Sequence, residues 1–570
     1  METQTHEAGR HNWLLSIHED SNANATLFRD GVPVFAVAEG RLSRVKYAGG
    51  FPRMAIDAAL EWAGIQLRDI TTVLPANETH FLPRIAGTLL PDGEHDYFGA
   101  RHKAWLYFQH TLSQGGAMHK AARGLSRAML KRKFPQLADF VDHHTAHAYS
   151  AYLTSGYSDA VAVTADNMGD GWSSKVFDCV NGQCIFQYGS SARHSPGQFY
   201  GEVAQLLGFH NLNAGKVTGL AAYGDPNLAY PYMEQIFSLD ESKTKFRCPD
   251  LMWRNRRRAP FNTLSKMKPA DVAAAAQKRF EDVLVDYVRH AVRETGRSTV
   301  VMAGGCFANV VLNQKILQLP EVSRIYVHPA MNDQGISMGA GLAHLAERES
   351  GVINEPLPTV FLGPSYTDEE IGLALEAHGL PYERPESMPD TAAKALAERK
   401  VIARYDGRLE YGPRALGNRT IMYPTDDRSV NDWLNKRLRR TEFMPFAPVT
   451  LSEHAAECYR NVEGGELAWR YMTVTFEVTE AVRKRSPGIV HLDGTARPQV
   501  IHRADNPGYY DIIRRYHELT GTPTVINTSF NMHGEPIVCT PDDALRAFTA
   551  SGLDRLILGP YFVRQKASDT

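Results

Sequence analysis

The segment VDHHTAHAYSAYLTSG carries His143 and His147 four positions apart in a stretch of helical pattern. That spacing sets two imidazoles on one helix face, the geometry a bound metal needs. Acidic residues stand at two strand ends elsewhere: Asp166 closes AVAVTAD, and Asp333 follows RIYVHP within HPAMNDQGISMGAG. Together they would make a mixed nitrogen and oxygen shell for a divalent transition metal, with positions open for a substrate oxygen. Histidines at this spacing also serve packing and capping, and each aspartate reads equally well as a turn-former. Spacing alone leaves both readings standing.

A second kind of chemistry is offered by TVVMAGGCFANVVLNQKIL, an apolar strand that runs into Gly304 and Gly305 and then into a helix with Asn309 and Asn313. Glycines at such a turn let backbone amides approach a phosphate or nucleotide, though paired glycines also serve tight packing. NAGKVTGLAAYGDP adds Gly215, Lys216 and Gly219, a basic side chain in a loop. Further on, YDGRLEYGPRALGNR holds Arg408, Arg414 and Arg419, Arg439 and Arg440 precede TEFMPFAPVTL, and Arg497 lies in GTARPQV. Arginines fixed in turns suit bidentate capture of phosphate or carboxylate. INTSFNMHGEPIV supplies Asn527, Thr528, Ser529 and Asn531, neutral hydrogen-bonding groups fit for an adenine, a ribose or a carbamoyl amide.

These groups need a frame. WLLSI from Trp13, a polar turn at residues 18–24, ATLF, Arg29-Asp30-Gly31 and VPVFAVAEGRL read as a β-hairpin, and residues 159–189 repeat that plan. Two hairpins, each followed by helices, predict a duplicated α/β architecture. Residues 104–137 read as a basic amphipathic helix and a structural insertion, and Arg254 to Arg258 as a surface loop. Prolines 356, 358 and 364 mark a linker, so a domain boundary is placed between residues 355 and 356, with an α+β unit beyond it.

At 570 residues the chain exceeds the ~250 to 300 at which single cores stop growing, and two domains are expected. Sixty-two basic against 64 acidic residues, a net charge of −2, give no electrostatic ground for a nucleic-acid or membrane-surface partner. Six scattered cysteines read as reduced thiols. The polar N-terminus lacks the apolar core of a signal peptide, no stretch approaches a membrane span, and a cytoplasmic location is expected.

In order, AEGRLSRVKYAGGFP, DHHTAHAYSAY, NAGKVTGLAAYG, GGCFANVVLN, NDQGISMGAG, YGPRALGNR, MPFAP and NTSFNMHGEPIV resemble the O-carbamoyltransferases that decorate antibiotics and nodulation factors. The resemblance spans nearly the whole chain. It implies an actin-like ATPase domain over residues 1–355, similar to the tRNA-threonylcarbamoyl transferase. Over residues 356–570 it implies an α+β (YrdC-like) domain similar to the threonylcarbamoyl-adenylate synthase. Carbamoyl phosphate and ATP, the latter with Mg2+, would yield carbamoyl-adenylate in the second domain. The first would pass the carbamoyl group to a small-molecule alcohol at a metal site of the Fe2+ type, and a homodimer is a candidate assembly. By the same resemblance His143, His147, Asp166 and Asp333 match metal ligands, and Gly304, Gly305 and Asn309 match nucleotide contacts, with Lys216 beside them. Arg414, Arg497, Asn527 and Ser529 match contacts to the activated carbamoyl species. A base is required as well, with His18 and His144 as candidates, and Lys46 joins them in the catalytic set.

Three positions depart from the family pattern. Ser21 stands where many members have histidine, and Met444 where many have arginine before PFAP. The family's upstream lysine falls near Arg439 or Arg440. Three rival readings are weighed: a serine hydrolase built on Gly335-Ile-Ser337-Met-Gly339, a threonylcarbamoyl transferase acting on tRNA, and a non-catalytic nucleotide-binding regulator. The hydrolase elbow should leave its strand directly, yet residues 329–334 intervene.

Overall fold

The computed structural model describes residues 11–77, 117–210, 213–248, 260–348, 354–441 and 443–566. Strands Trp13–His18 (β1), Asn24–Arg29 (β2) and Val32–Ala38 (β3) form an antiparallel meander. Thr72–Ala76 (β4) adds parallel to β1, giving the order β3-β2-β1-β4. Asp159–Gly169 (β5), Trp172–Val180 (β6) and Gln183–Ser191 (β7) make a second meander. Thr299–Ala303 (β8) adds parallel to β5 and Arg324–Val327 (β9) parallel to β8, giving β9-β8-β5-β6-β7. One plan is thus used twice: a meander whose first strand takes a parallel neighbour on its free side. This is the expected duplicated α/β frame. Central strands β1 and β8 are buried along their whole length, as continuous apolar runs require.

Helix His143–Tyr152 follows the first sheet and helix Ile336–Arg348 follows the second. They meet so closely that a Cβ on Gly339 would lie 1.8 Å from the Ala146 carbonyl oxygen. The long helix Pro269–Thr295 buries Phe280, Leu284, Tyr287 and Val288 with Val161, Val163 and Val300 of the second sheet.

Beyond residue 355 an eight-stranded mixed sheet runs in the order Tyr382–Glu383, Tyr561–Arg564, Arg555–Leu558, Ile402–Tyr405, Arg419–Tyr423, Thr524–Ser529, Ala447–Leu451, Gln499–Ile501. Helices Met388–Ala397 and Pro507–Thr520 pack on one face, and Pro541–Ser551 belongs to the cluster on the other. Among the described residues no sheet mixes strands from the two sides of 355. The apolar packing does cross it, since Leu409, Ala415, Ile537 and Cys539 share a buried cluster with Trp13, Leu15 and Phe35. The proline-marked segment is correspondingly a packed strap. The Leu357 amide donates to the Thr154 carbonyl at 3.1 Å, the Ala36 amide to the Leu362 carbonyl at 3.0 Å, and Val360 is buried. An apolar strap costs less free energy packed than exposed.

Of the expected basic helix, Ala117–Lys133 is helical, while residues 104–116 and the Arg254 to Arg258 cluster lie outside the described residues. No helix among the described residues is long and apolar enough to cross a membrane.

Candidate metal centre and the adjoining glycine turn

Asp142 starts the histidine helix as its N-cap, accepting from the Thr145 amide at 2.8 Å and from Lys175 Nζ at 2.8 Å. The His143 amide donates to Asp170 at 2.9 Å. With the first turn pinned at both residues, His143 and His147 face inward, 2% and 0% exposed. Asp166 comes from an irregularity in β5. Pairing with β6 breaks after Ala165 and resumes at Gly169, so the strand continues past the aspartate that the sequence places at its end. The bulge re-aims the side chain. Asp333 opens the turn Asp333–Gly335 ahead of helix Ile336–Arg348.

These four side chains converge. One ligand atom from each lies within 4.8 Å of all the others, the one such group of His, Cys, Asp and Glu side chains among the described residues. His147 Nε2 stands 3.3 Å from Asp166 and 3.5 Å from Asp333, and His143 Nε2 3.7 Å from Asp333. His143 Nε2 and Asp333 Oδ1 are buried with no hydrogen-bond partner. Orphaned buried donors and acceptors are costly, and a cation seated among them would satisfy them together. Asn77 Oδ1 lies 3.0 Å from His143 Nδ1, a contact that places the proton on Nδ1 and leaves the Nε2 lone pair aimed into the cluster. Gly169 makes room: a Cβ there would come within 2.1 Å of the His143 ring. The residues therefore fit a divalent transition metal.

The charges are strongly coupled. Burial pulls the His147 imidazole down, but the facing carboxylates of Asp166 and Asp333 outweigh burial and lift it to about 9. Burial and the charge of Asp166 push Asp333 up to about 7. Burial also raises Asp166, which His147 and the amides of Gly305 and Asn167 overcome, holding it at about 2. Burial drives His143 well below the ordinary imidazole range.

Asp166 links this cluster to the glycine turn, because the Gly305 amide donates to its Oδ2 at 2.9 Å. Gly304 takes φ 105°, where a side chain would be strained and a Cβ would sit 2.2 Å from the Ala165 carbonyl oxygen. Asn309 caps helix Val310–Leu317 and is held by Gln277, whose Oε1 accepts from its Nδ2 at 3.0 Å. From beyond residue 355, Arg414 Nη2 donates to the Ala308 carbonyl at 3.4 Å, and the two polar regions thus adjoin. Its turn is tied by Glu410, which accepts from the amides of Leu416, Asn418 and Arg419. Lys216 Nζ donates to Thr441 Oγ1 at 2.6 Å.

Arg440 fans out at the end of strand Thr524–Ser529, donating to Thr528 Oγ1, the Ser529 carbonyl and Asn531. Arg439, at φ 55°, is exposed. Of the two arginines near the family's lysine position, Arg440 is the one that braces this strand end. Asn527 is buried, with Nδ2 donating to the Ala415 carbonyl at 3.1 Å and to Gln499 Oε1 at 2.7 Å. Arg497 and Ser529 are half-buried.

One expectation needs correction, and the hydrolase reading set aside above gains no support. His144, fully buried, has Nδ1 on Thr164 Oγ1 at 2.8 Å and Nε2 on the Trp172 carbonyl at 3.1 Å, and burial holds it down at about 4. With both nitrogens committed inside the fold, it is a structural residue and not a base. Ser337, the hydrolase nucleophile of the rival reading, is buried in a helix with its hydroxyl 2.7 Å from that of Thr26. His18 is buried at the end of β1, its ring centroid 6.3 Å from that of His143. Lys46 is exposed, its ammonium 5.1 Å from the Tyr47 ring centre.

Asn77, Gly169, Asp170 and Gln277 escaped the sequence reading. Only Asp170-Gly171, as an acidic glycine turn, carried a local signal. Asn77→Ala is expected to weaken metal binding by about 10- to 100-fold with the fold retained, measured by metal titration beside a thermal melt.

The frame is a duplicated α/β fold that sets a buried two-histidine, two-aspartate cluster against a strand-to-helix glycine turn. The chain belongs to the carbamoyltransferase family and is a carbamoyltransferase. Residues 15–342 match the family described as the carbamoyltransferase N-terminus, and residues 393–565 the carbamoyltransferase C-terminus. Nodulation protein NolNO of Sinorhizobium fredii is 31% identical over 585 residues, covering 97% of this chain and 82% of that protein. Nodulation protein NolO of Bradyrhizobium diazoefficiens is 34% identical over 439 residues, 75% of this chain and 79% of that one. An uncharacterized protein of Methanocaldococcus jannaschii is 31% identical over 465 residues, 77% and 75% of the two chains.

Proposed function

We propose that this chain is an ATP-dependent O-carbamoyltransferase that forms carbamoyl-adenylate beyond residue 355 and transfers the carbamoyl group to a small-molecule alcohol at the His143, His147, Asp166 and Asp333 centre. The observation that carries the reading is the continuity of the two regions. Asp166 belongs to the cluster and accepts from Gly305, and Arg414 from the other half reaches the same glycine turn at Ala308. An activated carbamoyl group made on one side has a short path to the other.

In this reading Arg414, Arg497 and Ser529 receive the phosphate and carbamoyl oxygens, since guanidinium groups fixed in turns match planar oxyanions. Arg440 acts indirectly by holding Thr528, Ser529 and Asn531 in place. The amide-rich turn at Gly304 and Gly305, with Asn309, receives nucleotide. A divalent ion held by the quartet would supply electrophilic polarisation of a substrate oxygen. His18, buried at the end of β1 with its ring centroid 6.3 Å from that of His143, is the base in this reading.

The deciding experiment omits the acceptor: protein, ATP and carbamoyl phosphate, with pyrophosphate release and carbamoyl-adenylate followed by mass spectrometry. Wild type should form the adenylate, and Arg414→Ala should lower its rate by roughly a hundredfold. A folded, metal-loaded protein that forms no adenylate would sink the proposal.

Metal loading should depend on pH with a defined sign. At pH 7 the metal-free site holds a proton on His147 (about 9) and shares one at Asp333 (about 7), and a cation must displace both. Affinity should therefore climb as pH rises and level off above about 9. Calorimetry in buffers of different ionisation enthalpy should record about one to two protons released per metal near neutrality.

A further inference from the structure

The tip of the β6–β7 hairpin holds a second chemically capable pair. Its turn is Asn181-Gly182 at φ 53° and 78°, the left-handed conformation at both central residues that a two-residue type I′ turn requires. Such a turn makes Val180 and Gln183 a hydrogen-bonded pair, so Cys179 and Cys184, opposite each other in the register, form the next, non-hydrogen-bonded pair. At that kind of pair the Cα atoms stand about 4.5 Å apart and the side chains approach most closely, within the span a disulfide bridges. The two Sγ atoms are 2.6 Å apart, and both residues are free thiols.

The tip is also fastened. Tyr149 donates to Gln183 Oε1 at 3.1 Å and accepts from the Cys184 amide at 3.2 Å, and Tyr152 accepts from the Gly182 amide at 3.3 Å. Gln183 Nε2 donates to the Ala346 carbonyl at 2.6 Å. These anchors come from the helices that carry the histidines and follow Asp333, so the thiols are held facing each other without backbone movement.

We propose that Cys179 and Cys184 are a reversible disulfide site, oxidised by low-molecular-weight disulfides of the glutathione class. Cys184, half-buried where Cys179 is fully buried, loses its proton and attacks one sulfur of the small disulfide, releasing one small thiolate. Cys179 then loses its proton and attacks Cys184 Sγ, releasing the second. The two protein thiols give up two electrons and two protons, and the small disulfide becomes two small thiols. Burial, then the neighbouring Cys179 sulfur, holds the Cys184 thiol well above the usual range, and exchange quickens as pH rises.

The test uses the folded full-length protein, incubated with glutathione disulfide at mildly alkaline pH, quenched by alkylation after unfolding, and mapped by peptide mass spectrometry. The alkylated thiol count should fall from six to four, with a peptide linked through Cys179 and Cys184, and return to six on reduction. Cys179→Ser should stop at a mixed disulfide on Cys184. The wild-type measurement stands even where that variant fails to fold. Six alkylated thiols in the treated wild type, or a mixed disulfide on Cys184 that Cys179 never resolves, would overturn the proposal.

Discussion

His147→Ala should lose metal uptake and slow carbamoyl transfer roughly a thousandfold, while acceptor-free pyrophosphate release stays within about twofold of wild type. His147 is chosen over His143 because its Nε2 faces both carboxylates, at 3.3 and 3.5 Å. Without it Asp166 and Asp333 are left facing each other in a buried site, where like charges cannot both persist and one takes up a proton. That protonated pair is a poor cation site. The asymmetry between the two steps is the informative part, since a general loss of folding would depress both. Metal content by elemental analysis, a thermal melt and separate assays of the two half-reactions read it out. Retention of stoichiometric metal, or equal loss in both assays, would remove the quartet from the transfer step.

The second large effect is structural. Gly339→Ala places a methyl group 1.8 Å from the Ala146 carbonyl oxygen, and the obstacle is backbone, not a side chain that can swing away. Helices His143–Tyr152 and Ile336–Arg348 must part to admit it, at an expected cost of about 3 kcal/mol. Because one helix carries His143 and His147 and the other follows Asp333, the same separation should loosen the metal site. Denaturant unfolding should show the stability loss, and metal titration a parallel drop in affinity. A variant with unchanged stability would mean that the two backbones are not in contact at this point.

Much of the candidate site is legible without coordinates, because its parts are written in short-range rules. His143 and His147 need only helical periodicity to share a face, and Gly304-Gly305 needs only a strand before it and a helix after it. The opening hairpin and its repeat are likewise visible as alternating apolar runs around acidic glycine turns. What the chain hides is whatever depends on distant elements meeting. Asn77 ends a strand with no unusual neighbours, and it matters only because β4 delivers it to His143 Nδ1. His144 looks as reactive as its neighbours until Thr164 and Trp172 are seen to occupy both nitrogens. The prolines after residue 355 fall between the sheets of the two sides, yet composition could not reveal that the strap is packed, because that rests on Thr154 and Ala36 far upstream.

One contact between the halves reaches further. Gly412, at φ 98°, lies where a Cβ would come within 2.6 Å of the Pro329 carbonyl oxygen, and its own carbonyl accepts from buried Arg41 at 2.7 Å. Beside it, Tyr411 OH stands 3.2 Å from His328 Nε2, directly ahead of the loop that delivers Asp333. The two halves are therefore not interchangeable modules. A gene fusion that joins the first half of one relative to the second half of another must keep this Tyr-Gly-Pro wedge and the 328–333 loop as a matched set. Recombination at residue 355, where the sheets divide cleanly, would part these two matched segments.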